Sequence, residues 1–410
     1  MCFISSGWCF ARPLENSMRV KAFKIRTCDI PLRFEFRQAS NARISSQGLL
    51  VEVVTENGII GYGECLPREY VSGETLSQVT LAVKYGARHF VGSTFTRFKD
   101  ILTFMEALSV QWEKMGLPTA CARCAIELAL LDAWGRETGA PLAALFSNTL
   151  PDNPEIKYSG VIAGSNEHQN DLILDFVSAM KMDQIKLKVG RDHEAELRMV
   201  LKIRSRLGPA AGIRVDVNGA WCVDAALRNI PDFVDAGVNT FEQPLGRFDR
   251  EGYLKLSSET GDFADIWVDE SVCSLAEAQW FIHHGAADGI NLKISKNGGL
   301  FNCMEIVRMA REKNVRCQLG AQVGETSLLT AAGRILSALA GDLVYHEGAV
   351  GKYLLEYDIV DPPLEFSTQG RASLHAFTVN PGLGIRVDPE AVSRLNLLYG
   401  IDERGAVDHT

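Results

Sequence analysis

Two hydrophobic periods alternate through the second half of the chain. Short apolar, β-branched runs begin near Ile156, Gln184, Ile213, Asn239, Ile266, Gly289, Val315 and Asp342. Between them lie longer stretches in which apolar residues recur every three or four positions. The first pattern is that of a buried strand and the second that of an amphipathic helix. A strand with its crossover helix takes about 30 residues, and eight such units predict a (β/α)8-type barrel over residues 151–365.

The first part of the chain reads differently. Val20 to Cys28, Leu49 to Thr55 and Ile59 to Glu64 alternate as strands, the last two joined by the hairpin signal Glu56-Asn57-Gly58. Helical patterns follow at Thr75 to Phe90 and Thr119 to Gly135. These elements predict an α+β domain over residues 18–150. After Asp361-Pro362-Pro363 come loops and a short strand signal at Gly384 to Val387, and residues 366–410 are expected to return to the first domain. Residues 1–17 contain apolar positions but neither the charged start nor the continuous apolar run of a signal peptide. They read as a poorly ordered N-terminal extension.

Composition narrows the class. The 410 residues are 46% hydrophobic and carry a formal net charge of −9. That balance disfavours a nucleic-acid partner, and no apolar run approaches the length of a membrane span. Ten cysteines are scattered without framework spacing, the pattern of reduced thiols in a cytoplasmic protein. Cys121-Ala122-Arg123-Cys124 reads as two small core residues one helical turn apart. The expected partner is a small molecule, and the expected assembly a homo-oligomer.

Candidate chemistry lies where the strand signals end. Lys186 and Lys188 close the second run, Asp216 the third, Glu242 the fourth, Asp269 the fifth and Lys293 the sixth. The C-terminal ends of barrel strands are where such folds build their sites. Three carboxylates converging on one volume repel one another unless a cation joins them, and an all-oxygen set suits a hard divalent ion, Mg2+ first, with Mn2+ as substitute. Lysines on strands two and six then flank the ion. A metal-bound carboxylate substrate presents its α-carbon between two amines, and an amine with lowered pKa removes the α-proton while the ion offsets the enolate charge. Lys186 beside Lys188 supplies a like charge that lowers an amine's pKa. A Schiff-base aldolase needs one desolvated lysine and has no use for three carboxylates. A binding protein derived from such an enzyme would have lost a lysine or a ligand, and all five positions are filled.

These residues carry a resemblance to the enolase superfamily, within it to the muconate-lactonizing-enzyme subgroup. The matching text is Gly61-Tyr62-Gly63-Glu64, Lys186-x-Lys188, Asp216-x-Asn218-Gly219, Phe241-Glu242-Gln243-Pro244-Leu245, Asp269-Glu270-Ser271, Asn291-Leu292-Lys293, Gly298-Gly299 and Asn380-Pro381-Gly382-Leu383-Gly384. It runs from Met18 into the tail. The resemblance implies a modified (β/α)7β barrel under an α+β capping domain made from both chain ends. It also implies Mg2+ on Asp216, Glu242 and Asp269, supported by Asn218 and Glu270, with Lys188 and Lys293 as acid and base and Lys186 beside them. Strand six ends in Lys293 and strand seven without histidine, so the resemblance is to the lysine-pair subgroup rather than to mandelate racemase itself.

Within that subgroup the resemblance points to epimerisation of a dipeptide or N-acylated amino acid. Muconate-type cycloisomerisation and an o-succinylbenzoate-synthase-like dehydration are the alternatives on the same residues. Loops at residues 33–46 and 67–74, with Arg43 and Tyr70, resemble the capping loops of dipeptide epimerases. One departure stands out. Dipeptide epimerases commonly carry Asp-x-Asp at the end of strand eight, and this chain has Val344-Tyr345-His346-Glu347-Gly348 there. His346, Glu347 and Glu325 are the expected substrate-facing residues on that side.

Overall fold

The computed structural model describes residues 17–37, 42–147, 150, 154–164 and 166–408. Nearly all of the expected N-terminal extension, residues 1–16, and the loop positions 38–41 lie outside the described residues.

Seven parallel strands follow one another in chain order around the barrel: Gly160–Ile162, Gln184–Lys188, Gly212–Asp216, Thr240–Glu242, Asp265–Val268, Gly289–Leu292 and Arg316–Leu319. Helices such as Glu167–Ala179, His193–Leu207 and Ser327–Ala340 return the chain between them. Their starts are sequence-encoded: the Asn166 side chain accepts the N–H of Gln169, Asp192 that of Ala195, and Ser274 that of Glu277, satisfying donors that a first turn leaves free.

Both ends of the barrel depart from the pattern. The strand signal at Ile156 belongs to Glu155–Lys157, which pairs antiparallel with Arg371–Ser373 instead of entering the barrel. The apolar pattern continues across Tyr158 into Gly160–Ile162, so periodicity does not mark where the chain changes sheet. The signal at Asp342 forms no strand. Residues 344–347 close the ring through separate backbone bonds, Leu319 N–H to Tyr345 O at 2.9 Å, Glu347 N–H to Leu319 O at 2.8 Å and Ser159 N–H to His346 O at 2.8 Å. These are too few in succession for a ladder, but they carry Glu347 to the barrel mouth.

In the cap, antiparallel strands run in the order Gly405–Asp408, Leu397–Asp402, Met18–Cys28, Gly48–Thr55, Ile60–Cys65. The tail signal at Gly384 to Val387 gives only a bridge between Val360 and Val387. Leu397–Asp402 is the strand that joins instead. It is half-buried along most of its length, so it lacks the alternation that reveals a strand with one face in a core. A hairpin, Pro31–Arg37 with Ala42–Ser45, was not legible as strands, and its Leu32 bridges to Leu355.

The Gly61-Tyr62-Gly63-Glu64 motif is explained by packing. Helix Ala120–Thr138, buried from Cys121 to Gly135, lies directly on strand Ile60–Cys65. A Cβ at Gly61 would sit 2.2 Å from Ala129 O, and one at Gly63 1.9 Å from Ala125 O. Only glycine admits that approach.

The seam between cap and barrel is made by carboxyl groups. Glu64 accepts the N–H and hydroxyl of Thr326 at 3.1 and 2.5 Å and the N–H of Leu329 at 3.3 Å. It thereby caps the helix that follows barrel strand seven. Glu127 accepts the N–H of Phe301 at 3.1 Å at the start of Leu300–Glu312. Burial pushes the Glu64 carboxyl up to about 8 and that of Glu127 to about 7.

Candidate active site

Alternation along a strand decides which side chains meet. Lys186 and Lys188 are two residues apart, as are Arg214 and Asp216, Asn291 and Lys293, and each pair points to one face. Register aligns Lys188 with Asp216 and Asp216 with Glu242. Asp269 and Lys293 stand just past the ends of strands five and six. The six charged residues expected at the strand ends therefore gather at one barrel mouth.

The carboxylates there are met by ammonium groups. Lys186 Nζ lies 2.7 Å from Glu347 Oε2, 3.2 Å from Glu242 Oε1 and 3.5 Å from Asp216 Oδ2. Lys293 Nζ is 2.5 Å from Asp269 Oδ2. Lys188 donates to Asn218 Oδ1 at 2.9 Å, and Asn218 donates in turn to Glu270 Oε1 at 3.2 Å. Lys188 is the more open of the two flanking lysines: its side chain is 23% exposed against 10% for Lys293. A cavity of about 330 Å³ beside Lys188 and Asn218 extends past Gly190 and Asn166, so the two sides of the site differ in access.

Charge states follow from these contacts. Burial acts to lower the Lys186 ammonium, but Glu242, Glu347 and Asp216 outweigh it and the group is raised. Three carboxylates within 3.5 Å act on Lys186 more strongly than the like charge of Lys293. Lys293 is likewise raised against burial by Asp269, Glu270 and Glu242. Burial raises Glu242 to about 7, with the charges of Asp216, Glu347 and Asp269 adding to it against Lys186. Glu347, despite burial, is held down to about 2 by Lys186 and Arg214.

Four further side chains at the mouth were assigned no role from the sequence. Lys296, fully buried, donates to Asp269 Oδ1 at 3.0 Å, to Asp269 O at 2.6 Å and to Asn291 O at 2.8 Å. Asn291 and Gln318 donate to the two oxygens of Glu242 at 2.7 and 2.6 Å. Arg214 pairs with Glu347 at 2.5 Å. Three of the four were findable by parity. Arg214 and Asn291 sit two positions before a singled-out residue on the same strand, and Gln318 is register-paired with Asn291.

The remaining expected residues are less concentrated. Glu325 is half-buried, accepts the Gln322 N–H at 2.5 Å and lines a small cavity with Tyr158, Ile294, Leu319 and Glu347. Burial pushes it up to about 7. The His346 ring stands edge-on to Tyr158, with centroids 6.5 Å apart. Burial and the nearby Arg214 charge bring it down to about 4, so it is neutral. Arg43 lies over the Tyr70 ring at 5.5 Å, on the cap hairpin. Arg68, 0% exposed, ties the cap loops to the loop after strand seven, donating to Ser46 O at 2.6 Å and Val323 O at 2.7 Å.

The donor chemistry at the mouth fits a hard dication. Asp216, Glu242 and Asp269 offer carboxylate oxygens from adjacent strands, and the repulsion that adds to burial in raising Glu242 is what a cation relieves. Each carboxylate is drawn here to a lysine, and among the described residues no three acidic, imidazole or thiol groups surround one point.

Comparison with known proteins identifies the class. Residues 22–147 match the family model described as mandelate racemase / muconate lactonizing enzyme, N-terminal domain, and residues 171–391 match that described as enolase C-terminal domain-like. The chain belongs to this family, an isomerase family of the enolase superfamily. Among its relatives are a hydrophobic dipeptide epimerase of Enterococcus faecalis, 28% identical over 324 residues, 78% of this chain and 88% of the relative. Muconate cycloisomerase 1 of Rhodococcus opacus is 28% identical over 367 residues, 89% of this chain and 95% of the relative. The fold matches a dipeptide epimerase from Cytophaga hutchinsonii, solved with Mg and the dipeptide D-Ala-L-Val, at a TM-score of 0.82 and 22% identity, over 94% of this chain and 99% of that one. No described helix is long and apolar enough to cross a membrane.

Proposed function

We propose that this enzyme is a Mg2+-dependent epimerase of a dipeptide or an N-acylated amino acid. The observation that carries the reading is the presence of Lys188 and Lys293 at the ends of strands two and six, on either side of carboxylates from strands three, four and five. Asp216, Glu242 and Asp269 would hold Mg2+. When bound, the ion supplies electrostatic stabilisation for the negative charge that gathers on the substrate carboxylate.

The chain's own residues do the rest. One lysine, as the neutral amine, takes the α-proton, and the C–H electron pair moves into the carboxylate. The other lysine, as the ammonium, returns a proton to the opposite face of the same carbon. The two lysines thereby exchange protonation states, and reversal of the roles runs the reaction backwards. Lys186, held as an ammonium by Glu347, offers N–H donors to the substrate carboxylate.

The substrate's amino end is read from Glu347. That carboxylate is already shared by Lys186 and Arg214, which leaves it committed rather than open to a substrate ammonium. An N-blocked substrate is therefore accepted. The test is incubation of the protein with pooled dipeptides and N-acyl amino acids in D2O with Mg2+, reading α-deuterium by mass. Incorporation with inversion supports the reading. A second reading, muconate-type cycloisomerisation, is favoured by the longer match to the Rhodococcus enzyme. Lactone formation from a muconate without α-exchange would establish it instead.

A further inference from the structure

Arg214 has no part in the chemistry above, yet it is among the largest side chains fully enclosed in the molecule. It stands two residues before Asp216 and is register-paired with Lys186 on the neighbouring strand. Its guanidinium reaches one carboxylate, Glu347 Oε1 at 2.5 Å, and one hydroxyl, Ser159 Oγ at 3.1 Å. It also lies on the Tyr345 ring, 4.3 Å from the centroid. The other oxygen of Glu347 holds Lys186 Nζ at 2.7 Å. A buried ion pair adds little net stability, because desolvation offsets the attraction. What a planar guanidinium fixed by a hydroxyl and an aromatic face does supply is direction.

We propose that Arg214 is a positioning residue: it holds Glu347 in one orientation, and Glu347 in turn aims the Lys186 ammonium at the substrate carboxylate. The proposal rests on the α-proton-transfer reading, since it assigns Lys186 to the carboxylate common to both stereoisomers. The effect of Arg214 is accordingly the same for α-proton exchange from either stereoisomer, unlike that of a lysine serving one face.

The experiment compares the parent enzyme with Arg214→Met, Arg214→Lys, Glu347→Gln and the Arg214→Met/Glu347→Gln double variant. Each is measured for Mg2+ binding by calorimetry, for Tm, and for α-deuterium exchange from each stereoisomer. Arg214→Met is expected to lower kcat per Mg2+-binding site by about 30-fold, equally for both stereoisomers, with Mg2+ affinity kept within about threefold. Arg214→Lys recovers part of the loss, and the double variant is no slower than Glu347→Gln alone. A purely structural Arg214 would lower Tm and the active fraction but leave kcat per site near the parent value, which overturns the proposal. So does a double variant whose losses multiply. If the parent exchanges no substrate, the epimerase reading fails on its own. The Tm values then still decide the link: additive losses from Arg214→Met and Glu347→Gln overturn it, and a shared loss supports it.

Discussion

Glu64 and Glu127 at the cap–barrel seam are as deeply buried as Glu242 and Asp269 at the barrel mouth, yet different partners satisfy the two sets. At the seam the acceptors face helix N-termini: Glu64 meets two backbone N–H groups and a hydroxyl, and Glu127 a backbone N–H, with Arg123 near at 3.4 Å. At the mouth they face Lys186, Lys293 and Lys296. At the seam, burial outweighs the N–H donors that favour the ionised form, and the carboxyl works as a lock. Several charges gathered without solvent are costly, and stability alone does not justify them. The difference separates architecture from chemistry more clearly than burial does.

The largest effect that sharpens this comparison comes from the lysines. Lys293→Ala or Lys188→Ala should abolish net epimerisation, a loss of at least about a thousandfold, while Tm stays near that of the parent. Polarimetry with calorimetric unfolding reads both. Next come the carboxylates at the mouth. Asp216→Asn, Glu242→Gln and Asp269→Asn should each weaken Mg2+ by at least about a hundredfold, and full affinity in all three by calorimetry would refute the metal assignment.

The seam variants should do the reverse. Gly63→Ala drives a methyl into Ala125 O and is expected to cost about 3 kcal/mol of stability, read as a lower denaturation midpoint with Mg2+ affinity unchanged in the folded protein. Glu64→Gln should cost about 1 kcal/mol at pH 5, through a lost hydrogen bond. Its pH dependence has a definite sign. The folded carboxyl ionises near 8 and the unfolded one near 4.5, so the folded state keeps a proton that the unfolded state has released. Parent stability therefore falls as pH rises from 4.5 to 8 and levels off above. Glu64→Gln removes that slope, so its deficit should shrink as pH rises and reverse by pH 8. A deficit constant across that range would show that the carboxyl is ionised in the fold.

The sequence disclosed the mouth because charged residues ending apolar runs contradict their surroundings, as Asp216 does after Ile213-Arg214-Val215. Arg214, inside the same run, was overlooked since one charge within a strand reads as a solvent-facing position. Here it faces the barrel interior and is 2% exposed. Lys296 was hidden by its loop, which becomes an interior wall only once the cap is docked. The strand Leu397–Asp402 was hidden because it is half-buried along most of its length, where no period is imposed on the side chains, while the strand expected from Asp342 gives only separate backbone bonds at residues 344–347.

The central claim is that Lys188 and Lys293 serve opposite faces of one carbon. The most direct test measures α-deuterium uptake separately from each stereoisomer of a turned-over substrate, in D2O with Mg2+, for the parent, Lys188→Ala and Lys293→Ala. The account predicts exchange from both isomers in the parent, and from one isomer only in each variant, with the surviving isomer opposite in the two. Exchange of the same isomer in both variants, or epimerisation at the parent rate in either, would contradict it.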